Sequence, residues 1–200
     1  MTSQVKLSVR EERRRQTRER ILAVAIAEFK RTGMAGADVG AIVAAAGVAH
    51  GTFYFHFPSK EHVLLELESR EEARIAVDFA SFLESPHDLV TALRQLVDLV
   101  SGLEERFGPL LFKEILAQHF SPTRPHRDDW TDHPVIVLLV EEIERARGDG
   151  VIHPEVDAFY SATFFLLGIY GVLTTTDDNE IRNPMLTELV ASAVRGLEIR

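Results

Sequence analysis

The sequence predicts an all-α protein of about nine helices, divided into residues 1–58 and residues 59–200. Three observations predict it. Apolar residues recur at helical spacing along most of the chain, as in Ile21, Leu22, Ala25, Ile26 and Phe29, or in Leu89, Leu93, Leu96, Val100, Leu103 and Phe107. Glycine and proline fall between these stretches, at Gly47, Gly108-Pro109, Gly148-Asp149-Gly150 and Asn183-Pro184. Charge divides the chain too: residues 1–60 hold ten Lys+Arg and five Asp+Glu, a net +5, while the remainder is net −14 within a whole-chain −9.

In chain order, Ser8 and Glu11 form the S-x-x-E pattern of a capping box that opens the first helix. Arg10, Arg13, Arg14, Arg15, Arg18 and Arg20 crowd its first turns, and the helix stops at Gly33. Asp38 caps a second, short helix whose apolar face is Val39, Ile42, Val43 and Ala46. Gly47 ends it, since glycine takes a left-handed backbone without steric cost, and Val48, Phe53 and Phe57 mark a third helix. Two short helices across a tight turn make a helix-turn-helix, whose second helix lies in the DNA major groove. The arginine-rich arm beside it is read as a phosphate contact, in preference to a solvated helix face on which Glu11, Glu12 and Glu19 pair with it.

From about Thr17 to Leu67 the chain resembles the TetR family of bacterial transcriptional regulators. The resemblance rests on TRERIL, AEFKRTG and AGVAHGTFYFHFPSKE, with Thr52, Tyr54, Phe57 and Lys60 in order after AGV. It implies that Thr52 and Tyr54 offer hydroxyls to phosphates, that His56 and Lys60 lie on the phosphate side, and that His50, Gly51 and Phe55 face bases. The chain departs from the family at Asp38, where Thr or Ser is usual. A carboxylate there repels DNA, and Gly40 has no side chain to reach a base, so the second helix is expected to read little. Phe53 and Phe57 belong to the core; Phe55, two residues from each, cannot share their face and is expected to be exposed, with a thymine methyl as a suitable partner. For Tyr54 the competing reading is a half-buried core ring, and for His50 an exposed side chain without a role.

Ser59 caps a fourth helix, Lys60 to Leu83. It opens on Val63, Leu64 and Leu67, passes through Glu66, Glu68, Arg70, Glu71, Glu72 and Arg74, and ends on Ile75, Phe79, Phe82 and Leu83. Its middle is expected to be solvated and its far end to enter a second core. Ser85, followed by Pro86 and Asp88, reads as the next cap. The fifth helix ends at Gly108-Pro109, and a sixth runs from Leu110 to Phe120. Residues 121–134 form a loop, a seventh helix covers Val135 to Arg147, an eighth Pro154 to Thr174, and a ninth opens at Asn183-Pro184.

The eighth helix is apolar nearly all round, so a second copy of the chain is the expected cover, giving a homodimer. Its interface is assigned to Phe164, Gly168, Gly171, Leu186, Leu189, Val190, Ala193, Val194 and Leu197. The large apolar side chains of the C-terminal part predict a pocket walled by Phe79, Phe82, Phe107, Phe112, Phe165 and Ile169, with His119, Trp130 and Tyr170 as polar contacts. The expected partners are an operator duplex, roughly palindromic, and a small, mostly apolar effector that releases it; repression is the commoner habit of the family.

Two rival readings remain. His119, His126 and His133 recur beside Asp128, Asp129 and Asp132, which suggests a metal or catalytic loop, but Pro122 and Pro125 break the helix that would align them. The other is an architectural DNA-binding protein with no ligand. No enzyme activity, cofactor or metal is expected. Cysteine is absent, no leader pattern precedes Ile21, and the run Ala158 to Leu173 falls short of the roughly 18 residues of a span, so a cytoplasmic protein without a membrane partner is expected.

Overall fold

A helix leaves backbone groups unpaired at both ends, and the partners those groups find set its limits. The computed structural model describes residues 8–119, 121 and 130–198, with His119 described in its backbone only. Ser8 opens α1 (Val9–Gly36): its Oγ accepts from the Glu11 N–H at 3.2 Å, and Glu11 Oε2 accepts from the Ser8 N–H at 2.8 Å. Helical geometry breaks at Gly33 (φ 74°), the expected stop, and a short turn continues to Gly36. Asp38 caps α2 (Val39–Ala46), accepting from the N–H groups of Gly40 at 2.9 Å and Ala41 at 3.3 Å. Gly47 ends α2 at φ 64°, and α3 (His50–His56) follows. Ile21, Phe29, Ile42, Phe53, Phe57 and Leu64 are fully buried and form the core of the first compact unit, residues 1–67.

The second unit, residues 68–200, takes the remainder of α4 (Lys60–Leu83), then α5 (Leu89–His119), a 3₁₀ turn (Trp130–Asp132), α6 (Pro134–Gly148), α7 (Ala158–Thr175) and α8 (Asn179–Leu197). α7 packs against α5, α6 and α8, and α8 also packs on α5. Phe79, Leu93, Leu96, Leu111, Phe112, Leu116, Leu139 and Ile169 fill its core.

Several boundaries differ from the sequence expectation, each for a local reason. Eight α-helices are present among the described residues, because Gly108 (φ 75°) kinks α5 without ending it, so the expected fifth and sixth helices are its two arms. Asp88 caps α5 in place of Ser85: Asp88 Oδ1 accepts from the Thr91 N–H at 2.8 Å while the Asp88 N–H donates to Thr91 Oγ1 at 3.1 Å. Asp157 starts α7 at Ala158, after Pro154, by accepting from the Tyr160 N–H at 2.9 Å. α7 then runs 18 residues, so by length and composition it could cross a membrane, contrary to the estimate from the sequence; here it packs on three neighbours. Asp178 caps α8 at Asn179, which leaves Asn183-Pro184 inside the helix. The buried Arg182 holds that early turn, donating to the Thr176 carbonyl at 2.7 Å and to Glu104 of α5.

Candidate nucleic-acid interface and effector cavity

Helix α3 is seven residues long, and its two sides have different tasks. Phe53 points into the core with Phe57 just beyond the helix, while His50, Gly51, Tyr54 and Phe55 are exposed and Thr52 is half-exposed. Phe55 is 65% exposed, as a residue out of register with both core phenylalanines must be. The Arg14 guanidinium of α1 lies over its ring, 5.0 Å from the centroid. Tyr54 meets Phe53 edge-on at 5.3 Å and His50 at 5.4 Å, which holds the ring on the outer face. A Cβ at Gly51 would meet nothing within 4 Å, so packing does not require glycine there, and its bareness leaves the backbone open to close approach. At Gly40 the added Cβ would sit 3.2 Å from the capping carboxylate of Asp38, which explains that glycine through the cap.

His56 and Lys60 are placed differently from the rest. His56 is buried, with its ring edge-on to Phe55 at 5.1 Å. Burial lowers its imidazole pKa from the usual 6.5, and the charges of Arg18 and Arg14 push the same way. Arg18 also spans this corner: it donates to the His56 carbonyl, pairs with Glu66 at 2.8 Å and stacks over Phe57 at 4.2 Å. Lys60 Nζ donates to the carbonyls of Met34 at 2.6 Å, Ala37 at 3.1 Å and Ala35 at 3.3 Å. Those bonds use the three donors of an ammonium group and tie the start of α4 to the end of α1.

The family model described as "Bacterial regulatory proteins, tetR family" matches residues 21–67, the stretch that builds α2, α3 and their supports. That match assigns residues 21–67 to a tetR-type helix-turn-helix. The chain is a DNA-binding transcriptional regulator, and the helix-turn-helix transcriptional regulator UidR of Escherichia coli is 27% identical over 167 residues, 82% of this chain and 84% of UidR. Among solved structures, FadR of Thermus thermophilus, a TetR-family repressor in complex with lauroyl-CoA, superposes with a TM-score of 0.73 at 23% identity, covering 92% of this chain and 96% of FadR. A gamma-butyrolactone receptor, an ArpA-like protein, gives a TM-score of 0.59 at 26% identity over 93% and 90% of the two chains.

The second unit holds a cavity of about 110 Å³. α5 supplies Val100, Leu103, Phe107, Ile115 and Leu116, and α7 supplies Thr163, Leu166, Leu167 and Tyr170. Val135 and Ile136 of α6, His133 before it, and Glu68, Glu71, Glu72 and Ile75 of α4 complete the lining. Of the residues expected from the sequence, Phe107 and Tyr170 reach this wall. Phe79, Phe112, Phe165 and Ile169 are packed behind it as core, and Phe82 contacts the His87 ring at 5.6 Å. Trp130 packs on Phe159 at 5.2 Å, and the side chain of His119, with His126, Asp128 and Asp129, lies outside the described residues.

The acidic middle of α4, expected to be solvated, instead faces this cavity. Glu71 meets Arg106 at 3.2 Å and Glu72 meets His133 Nδ1 at 3.1 Å. A signal was available in the sequence: Leu64, Glu68, Glu71, Ile75 and Phe79 share one helical stripe, so carboxylates interrupt an otherwise apolar face.

The residues assigned to a dimer interface separate into three groups. Leu186, Val190 and Val194 are buried inside their own chain, where α8 meets α5 and α7. Gly168 serves the same packing: a Cβ there would lie 2.7 Å from Leu189 Cδ1. Ala193 and Leu197 are half-buried, while Phe164, 67% exposed, and Gly171 face outward. Tyr160, Phe164, Leu167 and Gly171 form an exposed stripe along α7, with Ile181 and Met185 exposed on α8. The helical spacing of Tyr160 and Leu167 with Phe164 was legible beforehand.

Proposed function

We propose that this regulator binds a palindromic operator as a homodimer in the cytoplasm and acts as a repressor, released when a small effector enters the cavity of the second unit. The carrying observation is α4. The helix that starts with Lys60 clasping the end of α1 continues into the wall of the cavity through Glu68, Glu71, Glu72 and Ile75. A ligand against that wall acts on the same helix that anchors the helix-turn-helix. The ligand named for Thermus FadR, lauroyl-CoA, and the butyrolactone receptor's name agree with effector sensing on this fold.

For readout, His50, Gly51 and Phe55 face bases, and Thr52 and Tyr54 donate to phosphates, with Arg14 held beside Phe55 as an added cation. His56 supports Phe55 from within, and Lys60 fixes α4 to α1. Dimerisation covers the stripe of Tyr160, Phe164 and Leu167, the largest exposed apolar run on α7. In vitro selection from random duplexes tests the reading. A roughly palindromic site bound at least about a thousandfold tighter than random sequence is expected; equal affinities would overturn it.

A further inference from the structure

Phe55 is held from two sides on the outer face of α3. Its ring is largely exposed, His56 braces it edge-on from the core side at 5.1 Å, and the Arg14 guanidinium lies over it, 5.0 Å from the centroid. Arg14 and Arg18 stand one turn apart on α1, and each meets a phenylalanine at the end of α3, yet their surroundings differ. Arg18 is half-buried over Phe57 at 4.2 Å, donates to the His56 carbonyl and pairs with Glu66 at 2.8 Å, so its donors serve the fold. Arg14 is exposed, and the ring it meets is itself turned to solvent. A guanidinium seated on a ring keeps its N–H donors for other partners. Arg14 thus brings a fork of donors, and no acceptor, to the surface from which Phe55 meets DNA. In the major groove guanine alone shows two acceptors side by side, N7 and O6. Adenine sets a donor beside its acceptor, and thymine shows one acceptor beside its methyl group. Base pairs follow one another about every 3.4 Å along the duplex axis. A ring and a guanidinium 5.0 Å apart can therefore meet neighbouring pairs.

We infer that Arg14 is a specificity-determining residue, and that Arg14 and Phe55 together read two neighbouring base pairs, Phe55 the methyl of a thymine and Arg14 the N7 and O6 edge of a guanine. This rests on the proposed placement of α3 against bases. The Phe55 ring has two tasks in it, touching the methyl group and seating the guanidinium. A planar fork held in place loses less freedom for each hydrogen bond it forms than a long side chain loose in water.

The test starts from a duplex selected from random sequence by the purified full chain, and compares it with two atomic replacements. Uracil for the thymine removes only the methyl group, and 7-deazaguanine for the guanine removes the N7 acceptor. Among the positions that selection fixes there should be a T·A pair next to a G·C pair. Binding should weaken roughly tenfold with 7-deazaguanine at that pair, and about fourfold with uracil, the worth of one buried methyl group. In Arg14→Ala the 7-deazaguanine penalty should disappear while the uracil penalty stays. In Phe55→Ala the uracil penalty should disappear and the 7-deazaguanine penalty should shrink, because the guanidinium has lost its seat. Both side chains are exposed, so both variants should keep the thermal transition of the unaltered chain; the replaced duplexes test that chain directly whether or not they do. A loss in Arg14→Ala that is equal on every duplex and takes roughly 0.9 from the slope of log affinity against log salt would make Arg14 a phosphate contact and overturn its assignment. A selected site without a guanine beside a thymine, or one indifferent to 7-deazaguanine, would overturn it as well. A pool from which no preferred duplex emerges would overturn the inference together with the placement of α3 on which it rests.

Discussion

Replacing Lys60 by Met separates two tasks that a lysine beside a recognition helix could perform. In the structure its ammonium closes off three carbonyls at the end of α1, at 2.6 Å, 3.1 Å and 3.3 Å. Methionine keeps most of the aliphatic stem and removes every donor. A hydrogen bond to a charged group contributes about 1.5 to 3 kcal/mol, and carbonyls at a half-exposed helix end recover part of that from water. A loss of about 2 kcal/mol is therefore expected for the set. In a chain of this size it corresponds to a fall in Tm of about 4 to 8 °C. DNA binding gives the contrasting measurement. A lysine that neutralised a phosphate would take roughly 0.9 from the slope of log affinity against log salt when removed. Lys60→Met should leave that slope unchanged. Thermal unfolding by circular dichroism, with anisotropy titrations at several salt concentrations, checks both. An unchanged Tm together with a slope reduced by about one would refute the inward role of Lys60.

Phe55→Ala should cost about 1 to 3 kcal/mol at one or two operator positions and leave affinity for random duplex nearly as it was, as measured with single-base-substituted sites; a loss that is uniform across sequences would count against base contact. Phe164→Glu places a charge in the middle of the exposed α7 stripe and should give a folded monomer by sedimentation, whereas a dimer of undiminished affinity would show that another face pairs. His56 predicts a pH dependence. Its folded pKa lies below 6.5, so the unfolded chain takes up a proton that the folded chain resists. That contribution is level above about pH 6.5 and becomes destabilising as the pH falls below it toward the folded value. His56→Gln should remove this part of the slope in urea midpoints measured across that range, and identical slopes in the two proteins would exclude it.

How much of this was legible in the sequence depends on how local the cause was. Gly33, Gly47 and the Ser8–Glu11 box mark helix ends through contacts within a few residues, and each acts where the pattern puts it. Phe55 could be placed outside by register alone. Where two local signals compete, as with Ser85 and Asp88, or Asn183-Pro184 and Asp178, the pattern names the neighbourhood and the structure chooses the cap. The inward turn of Lys60 has no local sign, because its carbonyl partners lie 23 to 26 residues earlier. For α8, periodicity shows that Leu186, Val190 and Val194 share a face but cannot say whether their own chain or a partner covers it. The wall residues had the opposite problem: most of the largest side chains belong to the packed core, while the cavity is bounded, beside Phe107 and Tyr170, by smaller ones and by carboxylates.

That acidic wall bears on how strongly a ligand can act on DNA binding. The two ends of α4 are engaged in unlike ways, Lys60 by carbonyls of the first unit and Glu71 and Glu72 by Arg106 and His133 in the second. A ligand that binds equally well whatever the state of those pairs shifts nothing, however tight it is. A coupling of about 1 to 3 kcal/mol, the common range, would lower operator affinity by roughly 5- to 150-fold, and linkage requires the operator to weaken the ligand by the same factor. Contacts to the α4 carboxylates can supply such a difference, since they change the partners of the helix itself. Contacts to the apolar walls of α5 and α7 add affinity with less leverage. Titrating a bound probe with and without the selected operator measures the coupling directly, and Glu72→Gln should reduce the coupling more than it reduces stability. Equal probe affinities in the presence and absence of operator would separate the cavity from DNA binding altogether.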